Sequence, residues 1–361
     1  MLTTILQKQI DKTGDILFSK FMQAALYHPE YGYYMRTQPK IAPDADFITA
    51  PTIGNLFARS LSVQLKQVAE QNLLTDVLEY GAGTGQLAYD LLSANPWIKT
   101  YIIVEVSPYL RKTQETKLAS LGPQLQHKII WLQDMPSSFS GIVIANEIID
   151  AFAVARFHWQ AGTLYEQYVT NINNKLSYQL GAPSFELKKY IEKFNLTQYF
   201  NTIDNYCSEA NLALGPWIKN ISQKLTKGAI LIIDYGFKQY EYYHPDRNEG
   251  TLIGHYKHQV QHEFLQNPGK IDITSHVDFT ALASFAVEND LEISGYTNLA
   301  SFLLNLGILK LTSTNGKSKQ ETNLLLAPHE MGELFKVIML EKNLKETSLL
   351  GFSEHDKTHT L

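Results

Sequence analysis

An open, doubly wound α/β sheet is the architecture this sequence predicts, and three observations predict it. The stretch D-V-L-E-Y-G-A-G-T-G (76–85) places a short apolar run, an acid at its end and three glycines directly ahead of helical residues 86–92. Strand, acid, glycine-rich turn and helix is the loop with which a parallel sheet holds a phosphate or nucleoside. Short apolar runs then alternate with helical stretches. Further on, A-I-L-I-I-D (229–234) reads as a fully buried strand running into D-Y-G-F.

Taken in order, residues 19–26 form a helix with Phe21, Met22, Ala25 and Leu26 on one face. Tyr27-His28-Pro29 ends it, because the residue before a proline leaves the α region. The next segment, Y-H-P-E-Y-G-Y-Y-M (27–35), is turn-rich and aromatic. It reads either as a rigid packed loop or as an aromatic lid over a pocket, with Tyr31 and Tyr33 on the substrate side. Asp46 to Pro51 leads into a helix over about 53–71, whose apolar stripe keeps a 3.6-residue period. Strands follow at about 76–80, 101–106, 129–132 and 142–145, joined by helices that include 108–118, where Pro108 suits a first turn. Parallel strands joined this way require right-handed crossovers and a sheet covered on both faces.

Residues 152–180 break the rhythm. Stretches 155–159, 163–169 and 176–180 read as antiparallel strands, with Asn173-Asn174 as a turn. A mostly helical segment is expected to Leu225. Residues 237–275 are polar, aromatic and histidine-rich, too long for an idle loop. A helix over 279–288, a sixth strand at 291–296 and a final strand at 334–340 complete the core. The tail, 342–361, is polar and expected to fray.

Composition narrows the function. Among 361 residues, 44% are hydrophobic and 11% aromatic, the make-up of an ordinary folded core. A net charge of −5 offers no basic field for nucleic acid. The single cysteine, Cys207, can form no internal disulfide and reads as a buried thiol. No apolar run approaches the ~18 residues of a membrane span. The opening M-L-T-T-I-L-Q-K-Q-I-D-K has no arginine and no apolar core segment, so it matches neither a secretory signal nor a transit peptide, and a cytoplasmic chain is expected.

The glycine loop, Gly81, Ala82, Gly83 and Gly85, also fits the dinucleotide fingerprint G-x-G-x-x-A through Ala88, which leaves a nicotinamide-dependent oxidoreductase open. Three features turn the reading elsewhere. Glu79, two residues before the first glycine, would repel a pyrophosphate but suits the ammonium of an amino-acid-like ligand. Glu105, 20 residues beyond Gly85, can accept two hydrogen bonds from a ribose diol. A seventh strand after a long gap matches the antiparallel finish of a methyltransferase sheet. Together these favour S-adenosylmethionine as cofactor. Asp134, after the third strand, is placed to meet the adenine amine, and Asn146 to line the cofactor site.

The fourth strand ends in A-N-E-I-I-D (145–150), at the switch point where open α/β sheets bind substrates. Glu147 and Asp150 stand three apart, so one helical turn would set both carboxylates on one side. A sulfonium methyl is already electrophilic and needs only an in-line nucleophile and a sink for its proton. Paired carboxylates would orient a guanidinium, whose pKa exceeds ~12, and accept that proton. The plainer reading has these acids cap the next helix or pair with Arg156. His258 and His276 are either structural or walls of the substrate pocket. Histidines 255, 258 and 262 lack a cysteine or acidic ligand set, so no metal is expected.

At this point the chain resembles the MidA-like proteins, which include the mitochondrial complex I assembly-factor arginine methyltransferase. The resemblance rests on G-D-I-L-F-S-K-F-M-Q-A-A-L-Y-H-P-E-Y-G-Y-Y (14–34), D-F-I-T-A-P (46–51), L-E-Y-G-A-G-T-G (78–85), V-E-V-S-P-Y-L-R (104–111), A-N-E-I-I-D-A (145–151), I-D-Y-G (233–236), G-T-L (250–252) and D-I-T-S-H-V-D-F (272–279). It implies a class I methyltransferase fold, Rossmann-like and seven-stranded, and an arginine on a respiratory complex I subunit as substrate. Departures fall on the substrate side: Phe152-Ala153 replace the usual Leu-Pro, Thr52 an acid and Ile253 an arginine.

The expected organisation is a helical, aromatic cap (1–72), a methyltransferase core (73–150 and 229–341, with a substrate-side insertion at 237–278), an insertion (151–228) and a flexible tail (342–361). The expected activity is methyl transfer to an arginine of a protein partner, with a homodimer as a further expectation and neither nucleic acid nor a membrane span involved. The rival of another class is a non-catalytic assembly factor that binds the cofactor for structure.

Overall fold

The computed structural model describes residues 1–36, 49–256, 259–345 and 348–361. Its centre is a mixed sheet of β1 (Asp76–Tyr80), β2 (Thr100–Val104), β3 (Ile129–Leu132), β4 (Phe139–Asn146), β5 (Leu225–Phe237), β6 (Glu292–Asn298) and β7 (Phe335–Lys342). The spatial order is β3-β2-β1-β4-β5-β7-β6. The first five strands of that path are parallel, and β7 runs antiparallel to both β5 and β6. An eighth strand of two residues, Val277–Asp278, lies parallel beside Gly236–Phe237 and makes the count one more than expected.

The central strands are apolar on both faces because helices cover both. Along β4, Ile142 and Ile144 enter one core layer while Val143 and Ala145 enter the other, the period-two alternation of a strand. On β5, Leu231 and Ile233 share the first layer with helices Leu56–Asn72 and Gln86–Ala94. Ile230 and Ile232 face the second, with helices Leu214–Lys224 and Phe279–Val287.

The insertion after β4 is a second, antiparallel sheet. Strands Ala155–Gln160, Thr163–Ile172 and Lys175–Gly181 form as expected, and the turn residues Asn173 and Asn174 have φ of 50° and 59°. Positive φ at both central residues is what a type I′ hairpin turn demands, and asparagine tolerates it. The segment expected to be helical to Leu225 also contains a strand, Asn205–Ala210, paired with Ala155–Gln160. Its sequence, N-Y-C-S-E-A, shows no apolar alternation because Ser208 and Glu209 are buried as well. On the other side, Ile16–Leu17 pairs with Tyr168–Val169. The N-terminal helices Leu2–Thr13 and Phe18–Tyr27 therefore share a third core with this insertion. Residues 237–275 hold a small three-stranded sheet, Ile253–Tyr256, Gln259–Gln261 and Asp272–Thr274.

The tail does not fray. Beyond residues 346–347, which lie outside the described residues, Leu349 and Phe352 are buried, and the Phe352 ring lies 5.1 Å from that of Phe302. The Gly351 N–H donates to the Gln64 Oε1 at 2.8 Å, and the Tyr296 N–H donates to Asp356 Oδ1 at 3.1 Å. A polar sequence hides two apolar anchors that seal the edge of the sheet. Among the described residues, no helix is long and apolar enough to cross a membrane.

Phe352→Ala should therefore cost about 3 kcal/mol in a guanidinium unfolding titration. An unchanged midpoint would mean that the tail contributes nothing to the core.

Candidate functional site

The glycine loop leaves β1 at Tyr80 and enters the helix Gln86–Ala94. Gly81 has a φ of 58°, which favours glycine, and a Cβ there would meet only the tip of the Ile148 side chain, Cδ1 at 2.3 Å, which would have to turn aside. Gly83 and Gly85 are left-handed too, with φ of 53° and 80°. The loop thus approaches the turn after β4 with backbone alone. Gly81, Gly83 and Ile148 stand together on the wall of a cavity of about 600 Å³ at the carboxyl ends of β1, β2 and β4.

Glu105 follows β2 and is buried on that wall. Its carboxylate accepts the Ser107 N–H at 2.8 Å and the Gln114 Nε2 at 2.8 Å. Gln114 had gone unnoticed in the sequence, yet it ties the site together. The same Nε2 donates to the Gly83 carbonyl at 3.1 Å, and its Oε1 accepts the Trp131 indole at 3.1 Å. One fully buried amide therefore clamps the glycine loop to the acid. No spacing rule marks a glutamine in mid-helix for such a role.

Glu79 is placed differently from the expectation. It points into the layer behind the sheet, where it accepts the Tyr101 hydroxyl at 2.7 Å, and it is Tyr80 that reaches the cavity. Burial, opposed by that hydrogen bond and assisted by the charge of Glu105, pushes its carboxyl up to about 7. Asp134 does sit on the wall, but Lys224 lies 2.5 Å from it and the Met135 N–H is 2.7 Å away. The lysine hydrogen bond holds its carboxyl below the usual range.

The turn after β4 carries the acids. Glu147 has a φ of 54°, a left-handed conformation that costs about 1–2 kcal/mol for a residue with a Cβ. The helical turn expected over 147–150 is thus a tighter bend. What holds it is Asp234 at the end of β5, fully buried. Its Oδ2 accepts the N–H groups of Ile148, Ile149 and Asp150 at 3.2, 2.9 and 3.3 Å, and its Oδ1 that of Tyr235 at 2.9 Å. The I-D-Y-G motif was legible in the sequence, but the partner of its acid was not.

Both Glu147 and Asp150 face the cavity. Glu147 accepts the Asn146 amide at 3.0 Å, while burial and the charge of Asp150 push its carboxyl up to about 8. Asp150 accepts the Tyr235 hydroxyl on Oδ2, and its buried Oδ1 has no hydrogen-bond partner. Burial raises it to about 6. Arg156, the alternative partner, lies instead 4.0 Å from Glu209. Asn146 borders the turn through that amide bond, and its own buried Oδ1 has no hydrogen-bond partner.

The aromatic segment splits. Tyr27, Tyr33 and Tyr34 line the cavity, with Tyr27 and Tyr34 stacked at 5.5 Å. The Tyr34 hydroxyl donates to Asp272 Oδ1 at 2.9 Å, which brings onto the wall a fifth carboxylate that sequence reasoning gave no role. Tyr31 faces away, against His28 at 5.3 Å. His276 lies outside the cavity between Tyr235 and Phe237, and burial together with Arg247 lowers its pKa to about 4. His258 and residues 46–48 of the D-F-I-T-A-P motif lie outside the described residues. Phe152 and Ala153, where the family pattern has Leu-Pro, are part of the wall.

Comparisons with known proteins agree on one family. Residues 56–297 match the family described as "Putative S-adenosyl-L-methionine-dependent methyltransferase". A Burkholderia thailandensis protein crystallised with S-adenosyl-homocysteine superposes with a TM-score of 0.94 at 32% identity, covering 100% of this chain and 96% of its own. A native structure of the same superfamily from that organism gives 0.90 at 32% identity, with the same coverage. The mitochondrial protein arginine methyltransferase NDUFAF7 of Mus musculus is 28% identical over 93% of this chain and 83% of its own length. That of Danio rerio is 27% identical over 92% and 84%. The cytoplasmic expectation does not stand, because these relatives are named as mitochondrial. That expectation rests on the pattern of the opening residues, which does not fix the compartment in which the folded chain works.

The residues fit that nucleoside. A left-handed glycine loop, a buried carboxylate at Glu105 and tyrosine rings on the same wall are compatible with a ribose and base, and no Lys or Arg for a pyrophosphate lines the cavity among the described residues. Glu105→Ala is expected to weaken S-adenosyl-homocysteine about 10- to 100-fold in calorimetry, the worth of charge-assisted hydrogen bonds. Undiminished affinity would place the nucleoside elsewhere.

Proposed function

We propose that this chain, which belongs to the family of S-adenosyl-L-methionine-dependent methyltransferases, methylates an arginine side chain of a protein partner. By the resemblance read in its sequence, that partner is a subunit of respiratory complex I. The observation that carries the arginine reading is the charge of the cavity. Glu105, Asp134, Glu147, Asp150 and Asp272 stand on its wall; among the described residues no Lys or Arg lines it, and Lys224 reaches Asp134 from outside. Such a wall favours a cation, and the tyrosine rings offer their negative faces to one.

The bound cofactor supplies an electrophilic methyl on a sulfonium. Gly81, Gly83 and Glu105, clamped by Gln114, would hold its nucleoside. Glu147 and Asp150 would grip the guanidinium, whose planar donors match carboxylates in pairs. The guanidinium nitrogen must give up a proton as it gains a methyl, and Glu147 would receive it. A carboxyl raised to about 8 is a far better base than an ordinary one. The unpartnered Oδ1 of Asp150 leaves one strong acceptor open for a second guanidinium N–H. Asp272, steadied by Tyr34, closes the acidic ring.

Labelled-methyl transfer into lysate, followed by amino-acid analysis, should show methylarginine; label on lysine, on a small molecule or nowhere would overturn the proposal. Glu147→Gln is expected to lower turnover about 10²- to 10⁴-fold with cofactor affinity kept. If Glu147→Gln retains full biological effect, the protein acts as a scaffold instead.

The same group sets a pH dependence. The fold binds the Glu147 proton more tightly than the unfolded chain does. The stability this lends is fully present below the ordinary carboxyl range and is lost as pH rises to about 8. Between pH 6 and 8 the melting temperature of the wild type should therefore fall relative to that of Glu147→Gln, while wild-type kcat/KM rises as the base ionises. Parallel melting curves would mean that Glu147 carries an ordinary pKa.

A further inference from the structure

A second cavity, of about 460 Å³, opens at the same edge of the sheet. It lies where β5 ends at Phe237, where β6 ends at Thr297 and Asn298, and where antiparallel β7 begins near Lys336. Its wall carries Lys238, Arg247, Lys336 and Lys357 against two acids, Glu241 and Glu333. That is a local excess of positive charge in a chain whose net charge is −5.

Two of these cations, Arg247 and Lys336, are held in place without a carboxylate partner. The Arg247 guanidinium stacks 3.9 Å over the Phe237 ring and spends one N–H on the Glu241 carbonyl at 2.8 Å. Lys336, half-buried, donates only to the carbonyls of Glu333 and Leu334, at 2.5 and 3.3 Å. Among the described residues, none of the four has a carboxylate within 4.0 Å of its charged nitrogens. An unpaired ammonium withdrawn from water is costly unless an anion joins it. Burial already lowers the Lys336 pKa to about 8, and Arg247 and Lys336 both help to keep neighbouring His276 neutral.

Two side chains, Tyr235 and His276, link the walls of the two cavities. Tyr235 donates its hydroxyl to Asp150 on the first wall, and its ring meets Phe335 at 5.4 Å and His276 at 5.3 Å. His276 in turn lies 5.0 Å from Phe237 on the second wall. An extended peptide advances about 3.3–3.6 Å per residue, so a short stretch matches the ring-to-ring steps of 5.3 and 5.0 Å along this partition.

We infer that the second cavity is a docking site for acidic side chains of the protein partner, Asp or Glu a few residues from the methylated arginine. The inference rests on the reading of the substrate as a protein. The first cavity would take the cation and the second the flanking anions, so each half of the recognition has the charge that the other lacks. Docking of this kind sets which arginine is presented without touching the reacting atoms.

The test is fluorescence anisotropy with a labelled peptide of alternating Asp and Gly and its Asn counterpart, with no methyl donor present. The Asp peptide should bind in a salt-sensitive way and the Asn peptide should not. Lys336→Gln combined with Arg247→Gln should weaken the Asp peptide at least tenfold, with Lys336→Arg close to wild type and affinity for S-adenosyl-homocysteine unchanged throughout. If the double variant loses that nucleoside affinity through misfolding, Lys238→Gln alone carries the comparison and should weaken the peptide severalfold. Equal binding of both peptides, or an undisturbed variant, would overturn the inference. Displacement by inorganic phosphate beyond that by chloride of equal ionic strength would also overturn it, by making this a phosphate subsite. A chain that binds the Asp peptide but methylates no arginine would sink the arginine reading and leave the docking site standing.

Discussion

One buried carboxylate fixes the geometry on which the whole site depends. Asp234 collects three successive backbone N–H groups of the turn after β4 and the N–H of its own neighbour. Even at the roughly 0.5–1.5 kcal/mol of an ordinary hydrogen bond, four together offset a left-handed Glu147. That bend brings the tip of Ile148 to 2.3 Å from where a Cβ on Gly81 would stand, so the glycine loop and the acidic turn lie against each other. Burial, then the charges of Asp150 and Glu147, push Asp234 well above the ordinary carboxyl range, and the backbone donors hold it back. Three acids so close cannot all ionise freely, and a cation arriving between them relieves the strain.

The same logic of shared partners runs through the cofactor side. Gln114 uses one amide to reach Glu105, the Gly83 carbonyl and the Trp131 indole. Loop, acid and third strand are then one rigid unit rather than three separately placed parts. Rigidity here matters because a nucleoside bound in a preformed cradle loses less to ordering the protein.

Charge divides the carboxyl edge of the sheet. The cavity below β1, β2 and β4 is lined by carboxylates and aromatic rings, and the one beyond β5, β6 and β7 by unpaired cations. Tyr235 stands between them with its hydroxyl on Asp150. Reversal of β7 is what allows this, since its first residues then return to the edge where β5 and β6 end.

The sheet and its cofactor loop were written in local pattern. Apolar runs and glycine spacing are set by what a strand and a tight turn need from neighbouring residues, so they can be read one segment at a time. The strand Asn205–Ala210 and the docking of Phe352 could not, because burial came from distant partners rather than from alternation. Glu79 shows the limit most clearly. Its position was legible, but which face of β1 it would take depended on Tyr101 across the sheet. Asp234 and Gln114 likewise gained their roles only when folding brought residues 84 to 86 and 9 to 31 positions away within hydrogen-bond reach. Sequence alone determined the family and the glycine loop at the sheet's first strand, since those patterns are local. Tertiary structure decided which acids face the cavity, because a side chain's direction is settled by whatever packs against it.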